Sequence, residues 1–168
     1  MKKTLIIVDM QKDFIDGSLG TKEAAAIVEN VRGKLEEYRS AGNEIIFTRD
    51  THGEDYLDTP EGKKLPVVHC VKGTAGWELS DKLDASGCKI IDKPSFGYTG
   101  WNEFDFESIE LVGLCTDICV ISNALILKAF FPNAEISVDA SCCAGVTPDT
   151  HDAALKAMRM CQIDITGE

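Results

Sequence analysis

Two cysteines four residues apart, Cys115 and Cys119, stand in the stretch GLCTDICV directly after the apolar run Ile-Glu-Leu-Val. A disulfide is the first chemistry to test. Seven cysteines is an odd number, and their positions (70, 88, 115, 119, 142, 143, 161) follow no framework spacing. The apolar stretch before Asp9 is too short for a secretory leader, so the sequence reads as a cytoplasmic protein with reduced thiols. In GLCTDICV a strand ends near Leu114 and a helix starts with Thr116 as a plausible N-cap, which puts Cys119 in the first helical turn. There the positive end of the helix dipole would lower the thiol pKa and favour the thiolate. The unpaired N–H groups of the same turn could receive an oxyanion. Cys115, on the strand side, is better placed to offer its backbone.

A nucleophile also needs a proton acceptor and a stabilising charge. Asp9, in VDMQKDF, closes the first apolar run, and Lys93, in DKPSFGY, follows another. Taken singly, an aspartate at a strand end is a turn residue and a lysine is solvated surface. Together with Cys119 they form a Cys-Asp-Lys set. His151, in THDAALKAM, is the only histidine beyond the nucleophile and reads as a helix-surface residue.

The elements that must carry these residues alternate. Thr4–Asp9 reads as a strand buried on both faces, Lys22–Ala41 as a helix stopped by Gly42, and Glu44–Thr48 as a second strand. Lys89–Ile91 and Ser108–Leu114 follow as strands, then helix Asp117–Phe131, strand Ala134–Val138, helix Pro148–Cys161 and a short strand Gln162–Ile165. This order predicts an α/β three-layer sandwich, a central parallel sheet flanked by helices, with ligands outside the carboxyl ends of the strands. Asp9, Arg49–His52, Asp92–Lys93 and Cys115–Cys119 all fall at that rim.

At 168 residues, 44% of them apolar, the chain is expected to form one domain over 1–168. Its net charge of −11 argues against nucleic acid or an anionic membrane surface as partner, and no apolar run is long enough for a membrane span.

The motifs IIVDMQKDF, TRDTH, HCVKGTAGWEL, DKPSFGY, GLCTDICV and DASCCAGVTPDTHDAAL cover almost the whole chain and resemble the isochorismatase-like cysteine hydrolases, within them the nicotinamidase branch. The resemblance implies a triad in which Cys119 attacks a small amide, Asp9 takes and returns the proton, and Lys93 holds thiolate and carboxylate in place. It implies an oxyanion site from the N–H groups of Cys115 and Cys119, a cis peptide at Leu114–Cys115, and Phe14 as an aromatic flank for the substrate ring. It also implies assembly into homo-oligomers.

Asp50 and His52, two apart at a strand end, project to the same side of an extended chain, and His69 can close a metal set with them. Imidazoles mixed with carboxylates suit zinc, manganese or iron with open positions, zinc being the expected ion. By resemblance Glu61 is the expected fourth ligand, with Glu54 and Asp55 as competitors. Cys70 should point away from its neighbour His69 and is rejected. The relatives that share the triad but act on isochorismate or carbamoylsarcosine lack this metal set, so the segment favours nicotinamide: an open metal position could accept the pyridine nitrogen. Phe96, Tyr98, Trp77 and Trp101 are either further pocket walls or core. Two alternatives stand beside this reading: a related hydrolase of another small amide or an isochorismate-like compound, working without metal, and a non-catalytic metal or thiol protein on the same fold.

Overall fold

The computed structural model describes residues 2–168. Six strands, β1 (Lys3–Val8), β2 (Glu44–Asp50), β3 (Lys89–Lys93), β4 (Ser108–Leu114), β5 (Glu135–Ala144) and β6 (Asp164–Thr166), form one sheet. Its order is β3-β2-β1-β4-β5-β6, with every neighbouring pair parallel. The helices are the single turn α1 (Lys12–Ile15), α2 (Lys22–Ser40), the short α3 (Pro60–Lys64), α4 (Ile121–Phe130) and α5 (Pro148–Met160).

The strands are apolar on both faces because both faces are covered. Along β1, Leu5 and Ile7 pack into a core with Ala24, Ile27, Val28, Val31 and Leu35 of α2. Their alternates Ile6 and Val8 pack with Ala124 and Leu127 of α4 and Leu155 and Met158 of α5. The result is the three-layer sandwich expected from the alternation. Helix α2 starts where the Thr21 side chain accepts the Ala24 N–H, and the chain leaves it through Gly42 at φ 69°.

The strand order reverses direction between β1 and β4, which is where open parallel sheets place their ligands. These two strands meet at Val8 opposite Gly113. Gly113 has φ +117°, and a side chain there would run into the Val8 carbonyl, so only glycine lets β4 close on the end of β1.

The differences from the sequence reading lie at the strand ends. β2 and β3 run on through Asp50 and Lys93, because each continues to pair with the other there. β5 extends to Ala144. The helix expected from Asp117 begins instead with a wide π turn, Thr116–Val120, before α4 proper.

Candidate active site and metal centre

Asp9 follows β1 in the left-handed region, φ 49°, a conformation that aspartate tolerates better than most residues. That turn sends its carboxylate into the molecule, where it is fully buried. Thr48 Oγ1 donates to Asp9 Oδ1 at 2.6 Å. Asp9 Oδ2 lies 2.6 Å from Lys93 Nζ in a fully buried ion pair. Lys93, at the end of β3, is also fully buried, and its ammonium donates to Cys119 Sγ at 3.4 Å and to the Ser95 carbonyl at 3.2 Å. The three side chains come from the ends of β1 and β3 and the turn after β4, and they meet at the switch point.

The electrostatics correct one sequence expectation. The Cys119 thiol is held well above its ordinary pKa, first by burial and then by the Asp9 charge, which outweigh the lowering by Lys93. Burial also raises the Asp9 carboxyl, against the opposing pull of Lys93. For Lys93, burial works to lower the pKa, but the Asp9 charge and, further off, that of Asp50 raise it, so it stays cationic. The dipole argument for a resting thiolate fails because desolvation in a closed core costs a thiolate more than one turn of helix returns.

Other expectations around Cys119 also change. Cys115, not Thr116, occupies the cap position, and no side chain caps the turn. The hydroxyl of buried Thr116 instead lies 2.7 Å from His151 Nδ1, so His151 is a half-buried partner of the turn and not a surface residue. The Leu114–Cys115 peptide is cis. The Ile118 and Val120 N–H groups both donate to the Cys115 carbonyl, at 3.1 and 3.0 Å, while the Cys119 N–H between them is not among these donors. The Cys115 thiol is pushed up to about 12 by burial, which suits a residue that supplies backbone.

On the adjacent edge, Asp50, His52, Glu61 and His69 each bring one potential ligand atom, all within 4.8 Å of one another. Asp50 Oδ2 lies 2.9 Å from His52 Nε2 and 3.5 Å from His69 Nε2. Glu61 Oε1 lies 3.6 and 3.9 Å from the same two nitrogens. His69 Nδ1–H donates to the Val67 carbonyl at 2.8 Å, which leaves Nε2 to face the carboxylates. Glu61 arrives because α3 is capped by the Thr59 hydroxyl on the Gly62 N–H, and because Gly62 passes too close to the Tyr56 carbonyl for any side chain. Glu54 and Asp55 are exposed and do not join the four. Neither does Cys70, whose thiol burial pushes far up.

The four residues fit a divalent cation by their own chemistry. Asp50 Oδ1 is buried without a hydrogen-bond partner, its nearest cation being Lys93 Nζ at 3.9 Å. The Glu61 carboxyl is raised, by burial and then by the Asp50 charge, so the pair of carboxylates is short of positive charge. Burial would raise Asp50 too, but the bonds from His52 and His69 hold it well below the usual carboxylate range. Two imidazoles with two carboxylates form a mixed N/O donor set.

Between thiol and ligand set lies a cavity of about 280 Å³. Cys115, Ile118 and Cys119 line it together with Asp50, Glu61 and His69, and Phe14, Leu19, Leu65, Phe96 and Val146 are among its apolar lining. Phe14 sits 5.5 Å from the His69 ring, centroid to centroid. Of the other aromatics only Phe96 lines the cavity. Trp101 is buried against Tyr98, and Trp77 lies under the Arg49 guanidinium. The sequence reading missed Thr48, the partner of Asp9, and the aliphatic walls, which lie in segments with no distinguishing spacing.

A parallel sheet with a buried acid, cation and thiol at its switch point defines a class of hydrolase-like α/β proteins. The chain belongs to the isochorismatase domain family, whose model matches residues 3–168. It is 29% identical to the nicotinamidase/pyrazinamidase of Mycobacterium tuberculosis, over 97% of both chains. It is 31% identical to an uncharacterized isochorismatase family protein of Bacillus subtilis, over 92% of this chain and 93% of that one. The crystal structure of Pyrococcus horikoshii pyrazinamidase in complex with zinc superposes with a TM-score of 0.86 over the full length of both chains at 24% identity, a likeness of fold.

Proposed function

We propose that the protein is a metal-dependent nicotinamidase, which hydrolyses nicotinamide to nicotinate and ammonia through a thioester on Cys119. The observation that carries this reading is the shared cavity, which Cys119 lines together with the ligand residues Asp50, Glu61 and His69. A substrate there can be gripped at one end while it reacts at the other. A curated relative matched over 97% of both chains, the nicotinamidase/pyrazinamidase of Mycobacterium tuberculosis, supports the same choice.

With the carboxamide against Cys119, the sulfur attacks the carbonyl carbon and its proton passes to Asp9, which is paired with the same Lys93 that donates to the sulfur. Lys93, 3.4 Å from the sulfur, stabilises the charge that develops as the proton leaves. The N–H groups of Cys115 and Cys119 receive the carbonyl oxygen as it becomes an oxyanion. Asp9 then gives the proton to the nitrogen, the C–N bond breaks and ammonia leaves. Water attacks the thioester, Asp9 takes a proton from it, the C–S bond breaks, and that proton returns to the sulfur as nicotinate departs. The raised Asp9 carboxyl suits both halves of this exchange, since a base nearer neutrality gives its proton back more readily.

Asp50, His52, Glu61 and His69 would hold the metal, proposed to be zinc. When bound, it supplies a Lewis acid able to take the lone pair of a pyridine nitrogen. Phe14 and Phe96 would enclose the flat ring. Within the same reading the protein works in the cytoplasm, where its seven free cysteines stay reduced, and as a homo-oligomer that covers the exposed apolar residues Leu65, Phe96 and Val146 at the cavity mouth. Among the described residues no helix is long and apolar enough to cross a membrane.

The test is ammonia release from nicotinamide by purified protein, before and after chelation and with zinc restored. The reading expects release that stops on chelation and returns with metal. Release only from another amide, or unchanged by chelation, would overturn it.

A further inference from the structure

Two polar side chains of the segment after β1, Gln11 and Asp13, do not reach the cavity, yet each ends on the backbone of a ligand-bearing strand or loop. β1 pairs with β2 only as far as Val8 opposite Thr48, and then turns away at Asp9. β2 continues two residues further to Asp50, whose outer edge pairs with Lys93 of β3. Its inner edge would have no partner.

Gln11 fills that place. Its side chain is fully buried, its Oε1 accepts the Asp50 N–H at 2.7 Å, and its Nε2 donates to the Asp50 carbonyl at 2.8 Å. The amide group pairs with Asp50 as a peptide unit of a missing strand would. Its second amide proton goes to the Trp77 carbonyl at 2.9 Å, so both donors are used. Only an uncharged primary amide both accepts and donates in this manner: a carboxylate lacks the donors and an ammonium lacks the acceptor.

Asp13, one helical turn from Asp9 in the sequence, does the corresponding work on the second loop. Its Oδ2 accepts the Cys70 N–H at 2.8 Å, while the Cys70 carbonyl accepts the His52 N–H at 2.9 Å. Cys70 stands at φ 48°, the left-handed region, where a non-glycine residue needs outside support. The residue next to His69 is therefore tied on one side to β2's extension and on the other to α1.

We infer that Gln11 and Asp13 are positioning residues for the metal centre, which fix the backbones of Asp50 and of the His69–Cys70 step and thereby set how tightly the four ligands hold a cation. This rests on the reading of Asp50, His52, Glu61 and His69 as ligands. Partners that orient metal ligands commonly contribute about ten- to a hundredfold in affinity.

The experiment titrates metal-stripped protein with zinc against a chromogenic competing chelator, with circular dichroism as a check of folding. Gln11→Met keeps the length and apolar bulk of glutamine and loses all three hydrogen bonds; Asp13→Ala loses its own. Both are expected to bind zinc about tenfold or more weakly than wild type. Asp13→Asn keeps an oxygen acceptor for the Cys70 N–H and should bind as wild type does, a rescue that general loosening of the fold would not give. Should Gln11→Met fail to fold, Gln11→Glu, which preserves the acceptor and removes both donors, carries the same expectation. Folded Gln11 and Asp13→Ala variants with wild-type affinity would overturn the inference. Wild-type protein that binds no zinc would instead overturn the ligand assignment on which it rests.

Discussion

At the residue scale the proposed chemistry depends on a proton that stays on sulfur until it is needed. Burial raises both the Cys119 thiol and the Asp9 carboxyl, and Lys93 remains cationic between them. A sensor thiol would work the other way, with an exposed, acidified sulfur, so a 4% exposed cysteine of raised pKa argues against the redox alternative. Asp9 must be ionised to accept the proton, and its pKa lies above the ordinary aspartate value. Activity is therefore expected to be lost as pH falls through that raised value. A profile of kcat/KM against pH, with metal held in excess, should place the acid limb above that of an unperturbed aspartate; a limb at or below the ordinary value would contradict Asp9 as the base. The partners of Cys119 were legible in the sequence because an acid and a lysine each end an apolar run. The protonation state was not, since it depends on how completely the site closes. Nor was the tie between Thr116 and His151, because a histidine on a helix carries no sign of which neighbour its ring will meet.

At the element scale, the site needs its connecting segments held as firmly as its strands. Asn123, fully buried on α4, makes four hydrogen bonds. Its Oδ1 accepts from the Tyr98 N–H and the Trp101 Nε1–H, both at 2.9 Å. Its Nδ2 donates to the carbonyls of Phe96 at 3.1 Å and Cys119 at 2.8 Å. One side chain thus joins the loop that carries Phe96 to the turn that carries Cys119. Asn123→Ala would strand several buried polar groups, at about 1–3 kcal/mol each, so a loss of at least about 2 kcal/mol is expected in urea unfolding together with a raised KM for nicotinamide. Stability within about 0.5 kcal/mol of wild type would count against this account of the loop. Gly113→Ala tests the junction of β1 and β4. With φ at +117° and the Val8 carbonyl in the way, the substitution should cost about 2 kcal/mol or more, and a neutral result would show that the junction can give. The alternation of strands and helices was readable from apolar runs and a helical period. The prolongation of β2 and β3 was not, because Arg49, Asp50, Asp92 and Lys93 are polar and stay in the sheet through their pairing: Arg49 Nε, for one, donates to Asp92 Oδ1 at 2.8 Å.

At the scale of the whole molecule, the fold brings residues from six separate stretches of the chain to one end of the sheet, and the reversal of strand order between β1 and β4 opens the space they share. The motif spacing pointed to Asp50, His52 and His69 as a set, and only the resemblance singled out Glu61 from Glu54 and Asp55. The structure brings Glu61 to the other three through α3, an element of five residues too short to be read from periodicity. The ligand residues and the thiol belong to different segments that line the same cavity, so metal binding is separable from bond breaking. The most direct test replaces the sulfur alone. Cys119→Ala should retain the zinc content of wild type and release no ammonia from nicotinamide above the uncatalysed rate; release near the wild-type rate at equal zinc content would contradict Cys119 as the nucleophile and the thioester route with it.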